Sequence, residues 1–548
     1  MSDQIVVFKS KKIITMDHNN PEATHVVVRN GIILAVGDEN CANGWSDNVV
    51  IDTSYEDKVM LPGLIEAHAH VSTGGVWDYI YCGHYDRIDP AGEIVEGLST
   101  KDALIKKLQE SPGGGAIVGW GFDPNFLEGP RLSKIELDQV SKDRPVILVH
   151  SNFHLATVNS ITLEKSGINA GLNIEGIEKG TDGTPNGELQ EFAAMEPALN
   201  IGGITIGELS TKPSSVRNYA TMARNVGVTT IADLLSDLDP PEVAMLQDVT
   251  SDKNFPIRYV PIMNAMRGDP VKEAQKALEL KLKSSEKLRM GTAKLFTDGA
   301  IQGFTAKLNE PGYFSGPDNG IWNMEDSHFR RAVLELHKAG VKMHIHTNGD
   351  AASDYATDVL EDAIRAFPDA DHRHTLEHVQ LADKFDFIKM NKLGICVNLF
   401  ANHLYYFGDV HWATTLGPDR ASRMDACRDA AEVFNNNFAI HSDSPVTPLS
   451  PLVTAWCAVN RRTEKGRVLG STQQIDIKKA LYCITLGAAY VLKLEREIGS
   501  IEVGKKADFC ILDRDPTEQE PTKLNQIKVT DTVLLGVPTS RLEPIHSL

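Results

Sequence analysis

Two histidines one residue apart, His68 and His70, close the run Leu61-Pro62-Gly63-Leu64-Ile65-Glu66-Ala67-His68-Ala69-His70. Alternate side chains of a strand share a face, so both imidazoles leave the same side of a strand end. Two neutral imidazoles held this closely can chelate a divalent cation. Alone the pair is weak evidence, because surface and core histidines are common. Further residues of the right type sit at the ends of other apolar, β-type segments. His346 ends the segment 341–346, and His378 ends 373–378. Asp443 follows 438–442 in His441-Ser442-Asp443-Ser444-Pro445, and Lys294 lies inside 292–297. His344 and His374 precede two of these positions and read as inner groups behind the ligands; His441 is placed to orient Asp443. Asp350 reads as fixing a local turn or a ligand's second N–H, and Asp298 as a structural group or one behind the ligands.

Such residues meet only if the chain brings strand ends together. Eight short apolar segments read as strands: 59–66, 228–233, 257–263, 292–297, 341–346, 373–378, 394–399 and 438–442. Amphipathic stretches such as 270–283 and 327–339 alternate with them. That alternation predicts an α/β fold of the (β/α)8 TIM-barrel type, whose active sites gather at the C-terminal ends of different strands. More than 150 residues separate the first two segments, so an α/β subdomain is inserted after strand one, with strands at 116–119 and 146–150 and a helix at 101–110. Short strands at 5–16, 24–29 and 31–36, with the turn Arg29-Asn30-Gly31, match others at 507–512 and 529–535. They predict a small β-sandwich-like domain built from both termini. The expected division is 1–58 plus 490–548, 59–72 plus 216–489 for the barrel, and 73–215 for the insertion covering the site.

Composition removes several classes of function. The 548 residues are 42% hydrophobic and 24% charged, the balance of a globular chain, with a net charge of −19. Such a surface repels polyanions, which excludes nucleic acid and anionic membranes as partners. Seven scattered cysteines without a C-x-x-C pair read as reduced thiols, not a disulfide framework or zinc ribbon. There is no basic, apolar leader and no apolar run of about 18 residues, so a cytoplasmic location is expected. No phosphate-binding glycine loop occurs, so no nucleotide cofactor is expected. A homodimer is the default assembly.

Taken in order, L-P-G-L-I-E-A-H-A-H, Lys294, His346, His378 and S-D-S-P resemble the amidohydrolase superfamily. The branch is that of the N-substituted formamide deformylases and YtcJ-like hydrolases, amidohydrolase family 3. Other segments resemble it too: Gly119-Trp120-Gly121-Phe122-Asp123, His154 with Val158-Asn159-Ser160, the P-N-G-E-L-Q-E run from Pro185 to Glu191, H-L-Y-Y-F-G-D from His403, and Gly499-Ser500-Ile501 with Gly504-Lys505 and Ala507-Asp508. The resemblance spans nearly the whole chain. It implies one or two divalent metal ions, zinc by default, held by His68, His70, His346, His378 and Asp443. Lys294 would lie between two ions as N6-carboxylysine. An ammonium has no lone pair to ligate a cation. A neutral lysine can take up carbon dioxide, and two adjacent cations stabilise the resulting anion.

The activity so implied is hydrolysis of a non-peptide C–N bond, a linear amide or N-acyl or N-formyl group of a small molecule. Two ions about 3.5–4 Å apart can hold and activate a hydroxide. Asp443 would shuttle its proton to the leaving nitrogen. A single-metal site with Lys294 as an ordinary barrel lysine stays open, as do cyclic-amide hydrolysis, deamination and a non-catalytic, metal-binding regulatory role. Deaminases of the superfamily usually lack the bridging lysine and use a glutamate near the strand-five histidine, whereas Asn348-Gly349-Asp350 follows His346 here. For substrate contact the candidates are Trp120, Phe122, Phe126 and His154 in the insertion, and His403, Tyr405, Tyr406, His411 and Trp412 after strand seven, where a structural lid is the alternative. Arg461 and Arg462 would meet a substrate carboxylate or form a solvated helix face.

Overall fold

The computed structural model describes residues 4–45, 49–127, 129, 131–204, 212–316, 319–435 and 437–542. The parts of the expected terminal and inserted units at 1–3, 46–48, 128, 130, 205–211 and 543–548 lie outside the described residues, as do 317–318 and 436. Eight parallel strands form one sheet in the order of the chain: Leu64–Ala69, Val228–Ser236, Arg258–Asn264, Ala293–Phe296, Met343–Thr347, Thr375–His378, Cys396–Leu399 and Ala439–Ile440. The last closes on the first beyond its end, where the His70 N–H donates to the Ser444 carbonyl at 2.8 Å. The result is the expected (β/α)8 barrel. Nearly every residue of these strands is buried, which is why they read as continuous apolar runs and not as alternating ones. Outer helices show the 3.6-residue period: Pro270–Leu282 turns Ala274, Ala277 and Leu280 inward, and the Asp269 carboxylate caps it by accepting the Lys272 N–H.

One strand differs from its expected position. The segment 59–66 is divided at Gly63, with Val49–Pro62 in the terminal sheet and Leu64–Ala69 in the barrel. A side chain at Gly63 would put its Cβ 2.1 Å from Thr229 Oγ1, and the Gly63 N–H donates to the Asp508 carbonyl at 2.8 Å. The glycine lets the chain pass from one sheet to the other in close contact with both. Because apolar residues continue across it, the crossing left no mark in the hydrophobic pattern.

The terminal sheet has seven strands in the order Val537–Pro538, Val529–Leu534, Phe509–Leu512, Val49–Pro62, Ile5–Ile14, Glu22–Arg29 and Ile32–Gly37. Asn30 and Gly31 both have positive φ, as a two-residue hairpin turn demands. The segment after the first barrel strand carries a six-stranded sheet with Ile117–Phe122 and Val146–His150 side by side, and helices Lys101–Gln109 and Glu191–Ile201. All seven cysteines are free, six of them buried. Among the described residues no helix is long and apolar enough to cross a membrane.

A buried ion pair joins the terminal sheet to the barrel. Arg258, 1% exposed, donates to Asp508 Oδ2 at 2.7 Å and to Thr230 Oγ1 at 3.0 Å. Arg258 also donates to Glu286 Oε1 at 3.0 Å, so losing Asp508 leaves the guanidinium with that one, part-exposed carboxylate. Asp508→Ala should therefore destabilise the protein by about 1–3 kcal/mol, read as a lower urea midpoint. An unchanged midpoint would show that the pair does not hold the two sheets together.

Candidate metal centre

The residues singled out at strand ends meet at the C-terminal mouth of the barrel. His70 Nε2 lies 3.1 Å and His68 Nε2 3.4 Å from Asp443 Oδ1. His378 Nε2 lies 3.0 Å from His346 Nδ1, and the His68 and His378 rings are 4.6 Å apart between centres. Two groups offer ligand atoms within 4.8 Å of one another: His68, His70 and Asp443, and His68, His378 and His441. Burial drives the imidazoles of His68, His346 and His378 well below their ordinary pKa, so their lone pairs are free at neutral pH. That is the form that ligates a cation.

Lys294 completes the cluster. It is fully buried, its Nζ has no hydrogen-bond partner, and it lies over the Phe296 ring, 4.8 Å from its centre. Burial lowers its ammonium to about 8. A buried, unpaired amine is costly unless something else occupies the site with it. Neutral imidazoles and an aspartate are donors of the kind that could hold a divalent ion.

Behind the candidate ligands stands a residue that the sequence pattern conceals. Glu377 accepts from His68 Nδ1 at 2.7 Å, from His344 Nδ1 at 2.6 Å and from Asn398 Nδ2 at 2.8 Å. It fixes the His68 tautomer, so that Nε2 turns its lone pair toward Asp443 and His70. Strand alternation would send Glu377 and His378 to opposite faces. A left-handed φ of 71° at His378 breaks that rule and returns its ring to the mouth. His344 is thus an inner group, as expected. His441 differs from expectation: its Nε2 faces His378 Nδ1 at 3.0 Å, so it orients that ring and not Asp443. Asp298 accepts backbone N–H groups of Lys307, Asn348 and Gly349, tying the loops after strands four and five together. His374 turns away and bonds His337 at 2.8 Å.

The ligand cluster forms one wall of a cavity whose other walls include Phe192, Met195, Leu235 and Phe296. His154 lines it as well, its ring centre 5.1 Å from that of His346. The other expected substrate contacts stand elsewhere. Trp120 packs in the insertion's own core against Trp77 and Tyr81. His403 bonds His411 at 3.1 Å and leans on Phe400, one ring removed from the cavity. Tyr405 packs on Trp456, and Tyr406 on Tyr85. These aromatics serve loop packing, which composition alone could not separate from ligand contact. Arg461 is fully buried, donating to the carbonyls of Met424, Asp425 and Leu469, and Arg462 is exposed. Phe192 and Met195 escaped notice because an apolar helix reads simply as core.

An amidohydrolase family model matches residues 54–539. The chain belongs to the amidohydrolase family. Among its relatives, Protein LONG AFTER FAR-RED 3 of Arabidopsis thaliana is 29% identical, over 91% of this chain and 85% of that protein. The N-substituted formamide deformylase of Arthrobacter pascens is 25% identical over 98% of each chain. A crystal structure of an uncharacterized metal-dependent hydrolase from Pyrococcus horikoshii superposes with a TM-score of 0.71 at 23% identity, covering 94% of this chain and 99% of the other.

If Glu377 orients a metal ligand, Glu377→Gln should weaken metal binding about 10- to 100-fold, measured by competition with a chromogenic chelator. Unchanged affinity in a folded variant would remove that role.

Proposed function

We propose that the protein is a metal-dependent hydrolase of a non-peptide carbon–nitrogen bond, acting on a linear N-acyl or N-formyl amide of a small molecule. The observation that carries the reading is Lys294, a buried amine without a partner, among neutral imidazoles and Asp443. His68, His70 and Asp443 would hold one divalent ion, zinc by default, and His346 and His378 a second, with carboxylated Lys294 between them. Such ions, when bound, supply an activated water and polarise a carbonyl.

The chain's own residues account for the remaining needs of amide hydrolysis. An amine leaves poorly unless protonated, so a group must carry a proton from water to the scissile nitrogen. Burial opposes ionisation of Asp443, but the His70 imidazole beside it prevails and holds the carboxyl below its usual range. Asp443 is therefore ionised and ready to accept that proton. Lys294, with its pKa lowered by burial, spends more time as the free amine that reacts with carbon dioxide. Among the described residues lining the cavity there is no lysine or arginine, and most of the wall away from the ligands is apolar. That lining favours an uncharged hydrocarbon or aryl substituent over a carboxylate. The deformylase relative supports the bond type.

Metal analysis of the purified protein, with turnover of a panel of N-acyl and N-formyl amines, tests the reading. Asp443→Asn should lower kcat by about 10²- to 10⁴-fold. Stoichiometric metal with undiminished turnover in Asp443→Asn would refute the shuttle. If no metal copurifies and none restores activity, the hydrolase reading itself fails.

A further inference from the structure

We propose that the substrate reaches past the cavity at the ligand cluster. The apolar part of its substituent runs by Phe192, Leu199 and Ile204, and an ammonium at its far end lies in a second cavity beside Asp237 and Glu273. This rests on the amide-hydrolase reading above and names its substrate class, a diamine formylated or acylated on one nitrogen.

Volume makes the first argument. The cavity at the ligand cluster holds about 110 Å³, whereas small-molecule pockets run to about 300–1,000 Å³. A carbonyl set against the cluster would leave room there for little more than a short hydrocarbon stretch. A second cavity of about 480 Å³ adjoins it, and Phe192, Leu199 and Ile204 line both. Helix Glu191–Ile201 stands between the two. Met195 borders the first cavity and Glu196 and Asn200 the second, while Phe192 and Leu199, two turns apart on one face, border both. Three apolar side chains at the junction suit a hydrocarbon chain and oppose a charge that stops among them.

Charge makes the second argument. Asp237, Asp239, Asn264 and Arg267 line the second cavity from the barrel side, with Glu273 and Lys276 from helix Pro270–Leu282. Both of its cations are engaged. Arg267 Nη1 pairs with Glu196 Oε2 at 3.2 Å, and Lys276 Nζ donates to the Asp237 main-chain carbonyl at 2.7 Å. Asp239 caps helix Pro240–Ser251 by accepting the Glu242 N–H. Two carboxylates are left without an ion pair among the described residues: Asp237, whose Oδ1 takes the Asn264 amide at 3.2 Å, and Glu273, whose buried Oε2 has no hydrogen-bond partner. Burial, with Asp237 and Asp269 nearby, raises the Glu273 carboxyl above its usual range against the pull of Lys276. An ammonium brings three donors to such oxygens and relieves their mutual repulsion. A carboxylate in its place would meet like charge.

The test uses the metal-loaded full-length protein and compares kcat/KM for N-(8-aminooctyl)formamide, N-octylformamide and N-ethylformamide. Wild type should prefer the aminooctyl to the octyl compound by about tenfold or more. Asp237→Asn combined with Glu273→Gln should bring the two to near parity, with metal content and Tm unchanged. Leu199→Trp, which fills the junction, should cost the aminooctyl compound far more than N-ethylformamide. Equal kcat/KM for the aminooctyl and octyl compounds in wild type, a preference that survives the double substitution, or turnover of N-ethylformamide alone would overturn the proposal and leave the amide reading standing. If loaded wild type hydrolyses none of the three, the amide reading falls first and takes this inference with it.

Discussion

A lysine amine at the centre of a barrel, with no hydrogen-bond partner and only the charges of Glu377 and Asp443 to offset its burial, is the constraint around which the mouth of this protein is organised. Water cannot reach Lys294, and no carboxylate is hydrogen-bonded to it. The same desolvation that lowers its pKa keeps the neighbouring imidazoles neutral, so the cluster is poor at holding protons and well suited to cations. Every other element of the site serves to keep that cluster in place. Glu377 orients His68 from beneath, His441 orients His378 from the side, and Asp298 ties together the loops that flank His346.

The barrel was legible in the sequence because its strands are buried on both faces and separated by amphipathic helices, two patterns that burial imposes directly. The meeting of the candidate ligands at one mouth was legible for the same reason: His68, His346 and His378 end apolar runs, and Asp443 follows one. Glu377 was not. It sits one residue before a ligand, on what strand alternation makes the wrong face, and only the left-handed backbone of His378 reconciles the two. The boundary at Gly63 was equally hidden, since an apolar run crosses from one sheet to another without a polar break.

Substrate contact was the least legible part. Aromatic residues near a site satisfy loop packing and ligand binding with the same chemistry, and here Trp120, Tyr405 and Tyr406 are committed to packing. His154 differs because its ring lines the cavity while its Nδ1 is bonded to Glu191. The segment after the first barrel strand contributes that imidazole and, through Phe192 and Met195, much of the apolar wall, while the barrel contributes the candidate ligands.

The most direct measurement is native mass spectrometry of wild type and Lys294→Ala after reconstitution with zinc and bicarbonate. Two ions and the added mass of one carbon dioxide in wild type, with no added carbon dioxide and fewer ions in Lys294→Ala, are the expected result. Equal metal content in both proteins, with no carbon dioxide on wild type, would contradict the view that Lys294 is the keystone of the centre.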